Sequence, residues 1–251
     1  MADQDCNDII LFTSTSKLSR SPEENHYATF QSLRWKHELS DFAITCGGRE
    51  FKAHRAILAM KCRYFTRMFR YGYVEFVNNR VELHEDDPSL VADMVKYIYA
   101  DTAFHITLHG NHLEKTLHLI HFWLLGDKYE VNGLTSAIEE HLQSCFDSEE
   151  GDWTVQELLR VIDTVYEYSL APASRLRVLL IHYLFHRAET RSTVQMLRDE
   201  AMYDELRKRP EFMLDMSIRG FEAHETFHAL RDTLISLEEK AGRWDKDSRP
   251  S

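Results

Sequence analysis

A run of five alternating residues constrains this chain more than any other feature. Phe42-Ala43-Ile44-Thr45-Cys46 puts Phe42, Ile44 and Cys46 on one face of a strand. Gly47-Gly48 follows, a pair that accepts the positive φ of a tight hairpin turn, and Arg49-Glu50-Phe51-Lys52 reads as the returning strand. Almost all other regular apolar spacing in the chain is helical. The class is therefore α+β, predominantly helical. Only 9 Gly and 5 Pro in 251 residues disfavour a loop-rich all-β fold.

The elements can be placed along the chain. Met1 to about Asn25 is polar except for Ile9-Ile10-Leu11-Phe12 and reads as a mobile arm. Tyr27, Phe30, Leu33 and Arg34 have the spacing of a short helix, whose exposed face is a candidate partner surface. After the hairpin come two short helices, one with Ile57, Leu58 and Met60, the other with Tyr64, Phe65, Met68 and Phe69. Val81-Glu82-Leu83 reads as a third strand. Pro88 sits where a helix starts without losing a hydrogen bond, and Leu90, Val91, Met94, Val95, Ile98 and Tyr99 form its stripe. Leu113, Leu117, Ile120 and Leu124 form another. Asn132 is a candidate N-cap for a helix burying Leu134, Ile138 and Leu142.

An acidic break at Asp147–Asp152 suggests a boundary. Beyond it Thr154-Val155-Gln156-Glu157 fits a capping box that opens a helix with Leu158, Leu159, Ile162 and Val165. Further helices are expected around Leu176–Leu184, from about Val194 to Leu206, and from about Glu222 to Lys240. The expected organisation is an arm (1–26), a first domain (27–146), a helical region (153–240) and a loose tail (241–251).

Composition narrows the function. A formal charge of −11 repels phosphate backbones, so direct nucleic-acid binding is disfavoured. No run reaches the roughly 18 apolar residues of a membrane span, and no membrane role is expected. The start lacks a basic region followed by an apolar stretch, so no secretory leader is expected. The four cysteines (Cys6, Cys46, Cys62, Cys145) form no CxxC pair. That fits a reducing compartment, cytoplasmic and/or nuclear. No internal repeat is visible.

The stretch from Asp41 to Phe146 resembles a BTB (POZ) domain. The residues that carry the resemblance are Asp41-Phe42-Ala43-Ile44, Phe51 to Ala59, Tyr64-Phe65, Val81-Glu82-Leu83, Tyr97-Ile98-Tyr99 and Leu125-Gly126-Asp127-Lys128-Tyr129-Glu130-Val131. With its helical C-terminal region the whole resembles BTB proteins common in fungi. The resemblance implies a helical cluster capped by a small β-sheet. It also implies a protein-interaction module, often dimeric and often a bridge to a cullin ubiquitin ligase. His54, Tyr99, Asp127 and Tyr129 fall at structural positions of the family pattern.

Three sites follow. Asp41 and Arg55 are charged residues among apolar neighbours; if buried, each needs the other. The resemblance implies a charged pocket near a dimer interface at these positions, and the alternative is a brace between sheet and helix. Tyr73-Val74-Glu75 matches the hydrophobic-x-Glu motif that cullin-binding members carry before the third strand. An aromatic anchor beside a carboxylate suits a binding hot spot. The alternative is a loop with a solvated Glu and a partly buried Tyr. His54 has no Ser or Cys nucleophile pattern beside it and reads as a hydrogen-bonded core histidine.

One motif points elsewhere. His224-Glu225-Thr226-Phe227-His228 reads H-E-x-x-H, which on a helix could hold zinc with Glu225 activating water. Context is against it. Asp232 lies about 12 Å of helix rise from His224, too far to share one ion. The pairs His118/His121 and His182/His186 lack neighbouring ligands, and Arg207-Lys208-Arg209 is flanked by acids. No cofactor is expected. The leading expectation is a non-enzymatic, dimerising adaptor that links protein partners to a cullin ligase. The second is a BTB scaffold in a nuclear assembly without a ligase role, and the third, distant, is a zinc metallopeptidase.

Overall fold

The computed structural model describes residues 8–13, 39–100, 103–147, 153–168, 174–187 and 200–220. The chain parts into two compact units, Met1–Ser169 and Leu170–Ser251. The expected helix around Tyr27–Arg34, the H-E-x-x-H motif and the expected helix from Glu222 lie outside the described residues.

The described residues of the first unit form two small sheets. β2 (Phe42–Cys46) and β3 (Arg49–Ala53) form the expected antiparallel hairpin, with Phe42 opposite Ala53 and Cys46 opposite Arg49. Gly47 and Gly48 have φ of 50° and 76°, the left-handed pair that a two-residue turn requires. A Cβ on Gly47 would fall 2.4 Å from Pro88 Cγ, so the turn also presses on the start of a later helix. β4 (Arg80–Glu82) joins β2 in parallel, giving the order β3-β2-β4. Phe42, Ile44 and Cys46 are all buried, as the alternation predicts.

The second sheet corrects the reading of the N-terminal stretch. β1 (Asp8–Thr13) is a strand paired antiparallel with β5 (Ala103–Leu108), Asp8 opposite Leu108. The apolar run that looked like an isolated patch in an arm is half of a ladder whose other half lies far along the chain. β5 alternates too, with Phe104, Ile106 and Leu108 buried.

Helices make up most of the other described residues of this unit. α1 (Arg55–Lys61) and α2 (Arg63–Tyr71) follow the hairpin, and a single turn, α3 (Val74–Val77), precedes β4. α4 (Pro88–Ile98) starts at the expected proline. Its N-cap Asp87 accepts from the N–H groups of Ser89 and Leu90, and the Ser89 hydroxyl bond holds the Asp87 carboxyl below the usual carboxylate range. α5 (His112–Lys128) opens with an Asn111–Glu114 capping box. It buries Leu113, Leu117, Leu119, Ile120, Phe122 and Trp123. α6 (Leu134–Asp147) buries Leu134, Ile138 and Leu142 as expected, but Asn132 is not its cap. Gly133, at φ 77°, stands between them, and the Asn132 amide donates instead to the Met60 carbonyl at 3.1 Å.

α7 (Val155–Tyr168) begins with the expected Thr154–Glu157 box: Thr154 N–H donates to Glu157 at 2.9 Å and Glu157 N–H to Thr154 Oγ1 at 3.3 Å. It packs on α5, and Trp153 before it is buried against His112, ring centroids 4.8 Å apart. The acidic break at 147–152 therefore lies within the first compact unit. Among the described residues of the second unit are α8 (Arg175–Arg187), α9 (Glu200–Arg207) and α10 (210–220). Pro210 opens a helix that the sequence reading did not foresee, at a first-turn position where its missing N–H costs nothing. Buried Arg177 ties α8 to α10 through Glu211 (2.6 Å) and Asp215 (3.9 Å).

His118 and His121 lie half-buried on α5. Burial holds both below the ordinary histidine range, against the opposing pull of Asp93 and Asp87 on His118 and of Asp87 and Glu167 on His121. The unfolded chain then binds more protons than the folded one as pH falls below about 6.5, so stability drops with acidification in that window. Urea midpoints should fall from about pH 7.5 to pH 5 in the wild type, and less in His118→Gln. A wild-type midpoint constant over that range contradicts this.

Candidate functional site

α2 ends at Gly72, which takes the left-handed conformation (φ 63°) that stops a helix. The chain turns at Tyr73 into α3, closed by Val77 N–H to Tyr73 O (3.3 Å) and Asn78 N–H to Val74 O (2.9 Å). The motif is thus a helical turn with its own exposed face, not a loop with a partly buried tyrosine. Tyr71 (66% exposed), Tyr73 (56%), Val74 (70%) and Val77 (71%) make an apolar cluster along the α2–α3 corner. The Tyr71 and Tyr73 rings meet edge to face at 6.3 Å. Glu75 is half-buried on the same turn. Burial, and then the Glu75 carboxylate, raise the Tyr64 phenol above its ordinary pKa, so Glu75 acts electrostatically on the α2 surface. Scattered exposed apolar residues are ordinary, whereas contiguous ones mark contact surfaces.

The Asp41–Arg55 corner abuts the same region. Asp41 is exposed, and its carboxylate accepts from the Arg55 N–H at 2.8 Å, a favourable place for negative charge at the start of α1. The Arg55 guanidinium lies 5.8 Å from the ring centroids of both Phe42 and Phe69. It also donates to the Asn79 side chain. Asn79 has φ 56°, and its carbonyl accepts from Ala43 N–H at 3.0 Å.

Comparison with known proteins identifies this architecture. The BTB/POZ domain family matches residues 30–145. Residues 30–145 are a BTB/POZ domain. The mouse TD and POZ domain-containing protein 5 is 31% identical over 109 residues, 43% of this chain and 30% of its own length. The human Kelch-like protein 30 is 38% identical over 69 residues, 28% of this chain and 12% of its own. The chain thus spans less than a third of the length of these relatives. The solved BTB domain of human Gigaxonin aligns over 49% of this chain and 98% of its own, with a TM-score of 0.36 and 17% identity. A BTB/POZ domain is a protein–protein interaction module.

Within the BTB domain, His54 is half-buried and hydrogen-bonded to Tyr99. The Tyr99 hydroxyl accepts from the His54 N–H and lies 2.8 Å from His54 Nδ1. With the hydroxyl proton donated to Nδ1, one buried oxygen serves the main chain and the ring together. Tyr129 is buried, and its hydroxyl donates to Asp86 at 2.6 Å. Burial and that carboxylate push the phenol far up. Lys128 meets the other Asp86 oxygen at 2.8 Å. Asp127 is exposed, and its carbonyl accepts from Glu130 N–H at 3.0 Å. The Cys62 thiol, pushed up to about 11 by burial, donates to the Tyr129 carbonyl at 2.9 Å. Among the described residues no three His, Cys, Asp or Glu side chains form a metal-holding group, and no helix is long and apolar enough to cross a membrane.

Sequence reasoning missed Asn79 and Asp86. Asn78-Asn79 carried a signal, because asparagine tolerates the left-handed region better than other residues with a Cβ. Nothing local marked Asp86, whose partners lie on the far end of α5. Tyr99→Phe removes the hydroxyl that pairs the His54 N–H and Nδ1 and should cost about 1–3 kcal/mol by urea denaturation. Unchanged stability would contradict the structural role given to the pair.

Proposed function

We propose that the chain is a dimerising, non-enzymatic adaptor whose BTB domain docks a cullin-type ligase subunit through the α2–α3 corner. The observation that carries this reading is the exposed cluster of Tyr71, Tyr73, Val74 and Val77 with Glu75 on the same turn. Large aromatic side chains already held near one another gain contact area at low entropic cost when a partner covers them. A carboxylate at the edge supplies orientation more than affinity. The hydrophobic-x-Glu pattern that resembles cullin-binding BTB proteins falls on this turn. The Asp41–Arg55 corner, where the resemblance implies a charged pocket near the dimer interface, is the proposed self-association site.

The test is a pull-down of a purified BTB-binding cullin by the full chain and its variants. The wild type should retain the cullin, and Tyr73→Ala and Glu75→Ala should each weaken retention at least about tenfold, the size of a typical hot-spot loss. Equal retention by all three contradicts the reading. Sedimentation of the same wild-type preparation at tens of micromolar should give a dimer, and monomer alone removes the dimerising part.

A further inference from the structure

We infer that Asn79, held by Arg55, is a latch that sets the pose of α3, which makes Arg55 and Asn79 positioning residues for docking; this rests on the docking reading above. A four-residue turn cannot sustain itself, because a first helical turn fixes several dihedrals for a single hydrogen bond. The pose of α3 must therefore be imposed from its ends. At the N-terminal end stands Gly72, around which a Cβ would meet nothing within 4 Å, so no neighbouring group packs against that joint. At the C-terminal end stands Asn79, fixed twice. Its carbonyl accepts from Ala43 of β2, and its side chain accepts from the Arg55 guanidinium. Immediately after it the chain enters β4, registered on β2 with Arg80 beside Ala43.

Arg55 is itself well placed to hold a neighbour. Its N–H is bound by Asp41, and its guanidinium rests beside Phe42 and Phe69. The grip on Asn79 is a charge-assisted hydrogen bond, stronger than a neutral one. A change at the Asp41–Arg55 corner would thus reach α3 through one side chain, without passing through the core. Self-association there and docking at α3 would be coupled by that link.

Two substitutions separate the latch from backbone strain. Asn79→Gly accepts φ 56° without penalty but removes the acceptor. Asn79→Asp keeps both the acceptor and tolerance of the left-handed region. Hydrogen exchange of the full-length chain, read at the Val77 and Asn78 amides, should quicken about tenfold or more in Asn79→Gly and return to the wild-type rate in Asn79→Asp. Exchange in the β2–β3 hairpin should match in all three proteins. Binding of the purified cullin should weaken about five- to tenfold in Asn79→Gly and recover in Asn79→Asp, as expected when the competent pose is less populated. Unchanged exchange at Val77 and Asn78 in Asn79→Gly overturns the latch, and so does an Asn79→Asp that exchanges as fast as Asn79→Gly. Loss of cullin binding by the wild type itself, with the exchange pattern as expected, removes the docking reading and leaves the latch standing.

Discussion

Helix α5 has almost no outward face in its middle. Thr116, Leu117, Leu119, Ile120, Phe122 and Trp123 are all buried, so the helix is covered around most of its circumference. A helix apolar on so many sides needs neighbours on each of them. α4, α6 and α7 supply those neighbours. Gly126 lets α6 come close, since a Cβ there would already sit 3.0 Å from Leu134. Thr116, the one buried polar side chain in that run, returns its hydroxyl to the His112 carbonyl at 2.9 Å and leaves nothing unsatisfied. The end of α5 then sets Tyr129 and Lys128 on Asp86, tying it to the segment that leads into α4.

Such an interior has a functional corollary. Three groups of the described part are tied to structure: His54 to Tyr99 through its Nδ1, Tyr129 to Asp86, and the Cys62 thiol to a carbonyl. On the surface, the exposed side chains of Tyr71, Tyr73, Val74 and Val77 gather at the α2–α3 corner. The BTB domain offers this corner on a single turn held between a left-handed glycine and a left-handed asparagine. Such a surface can be rigid in its backbone while its side chains stay open to a partner.

Legibility in the sequence followed locality. The β2–β3 hairpin was visible because alternation and Gly47-Gly48 are adjacent. The start of α4 was visible at Pro88, and that of α7 at Thr154 and Glu157, because caps act within four residues. β1 was not visible as a strand, since Ile9–Phe12 acquires its ladder only from residues 103–108. Asn132 misled because a good capping residue was used for a different bond, to Met60. The Tyr73-Val74-Glu75 motif could be read, but its helical state could not: one turn has no periodicity to detect. The contact of Arg55 with Asn79 spans 24 residues and depends on β4 lying parallel to β2. No pattern within either segment announces it.

The central claim is that the BTB domain works through its α2–α3 corner. Hydroxyl-radical footprinting of the full chain, alone and saturated with a purified BTB-binding cullin, tests it most directly. Tyr71 and Tyr73 oxidise readily in the free protein if they are as open as their exposure requires, and Met60, 63% exposed on α1, serves as an internal reference. The account predicts that the cullin protects both tyrosines and leaves Met60 unchanged. Full complex formation with Tyr71 and Tyr73 oxidised as fast as before would contradict it.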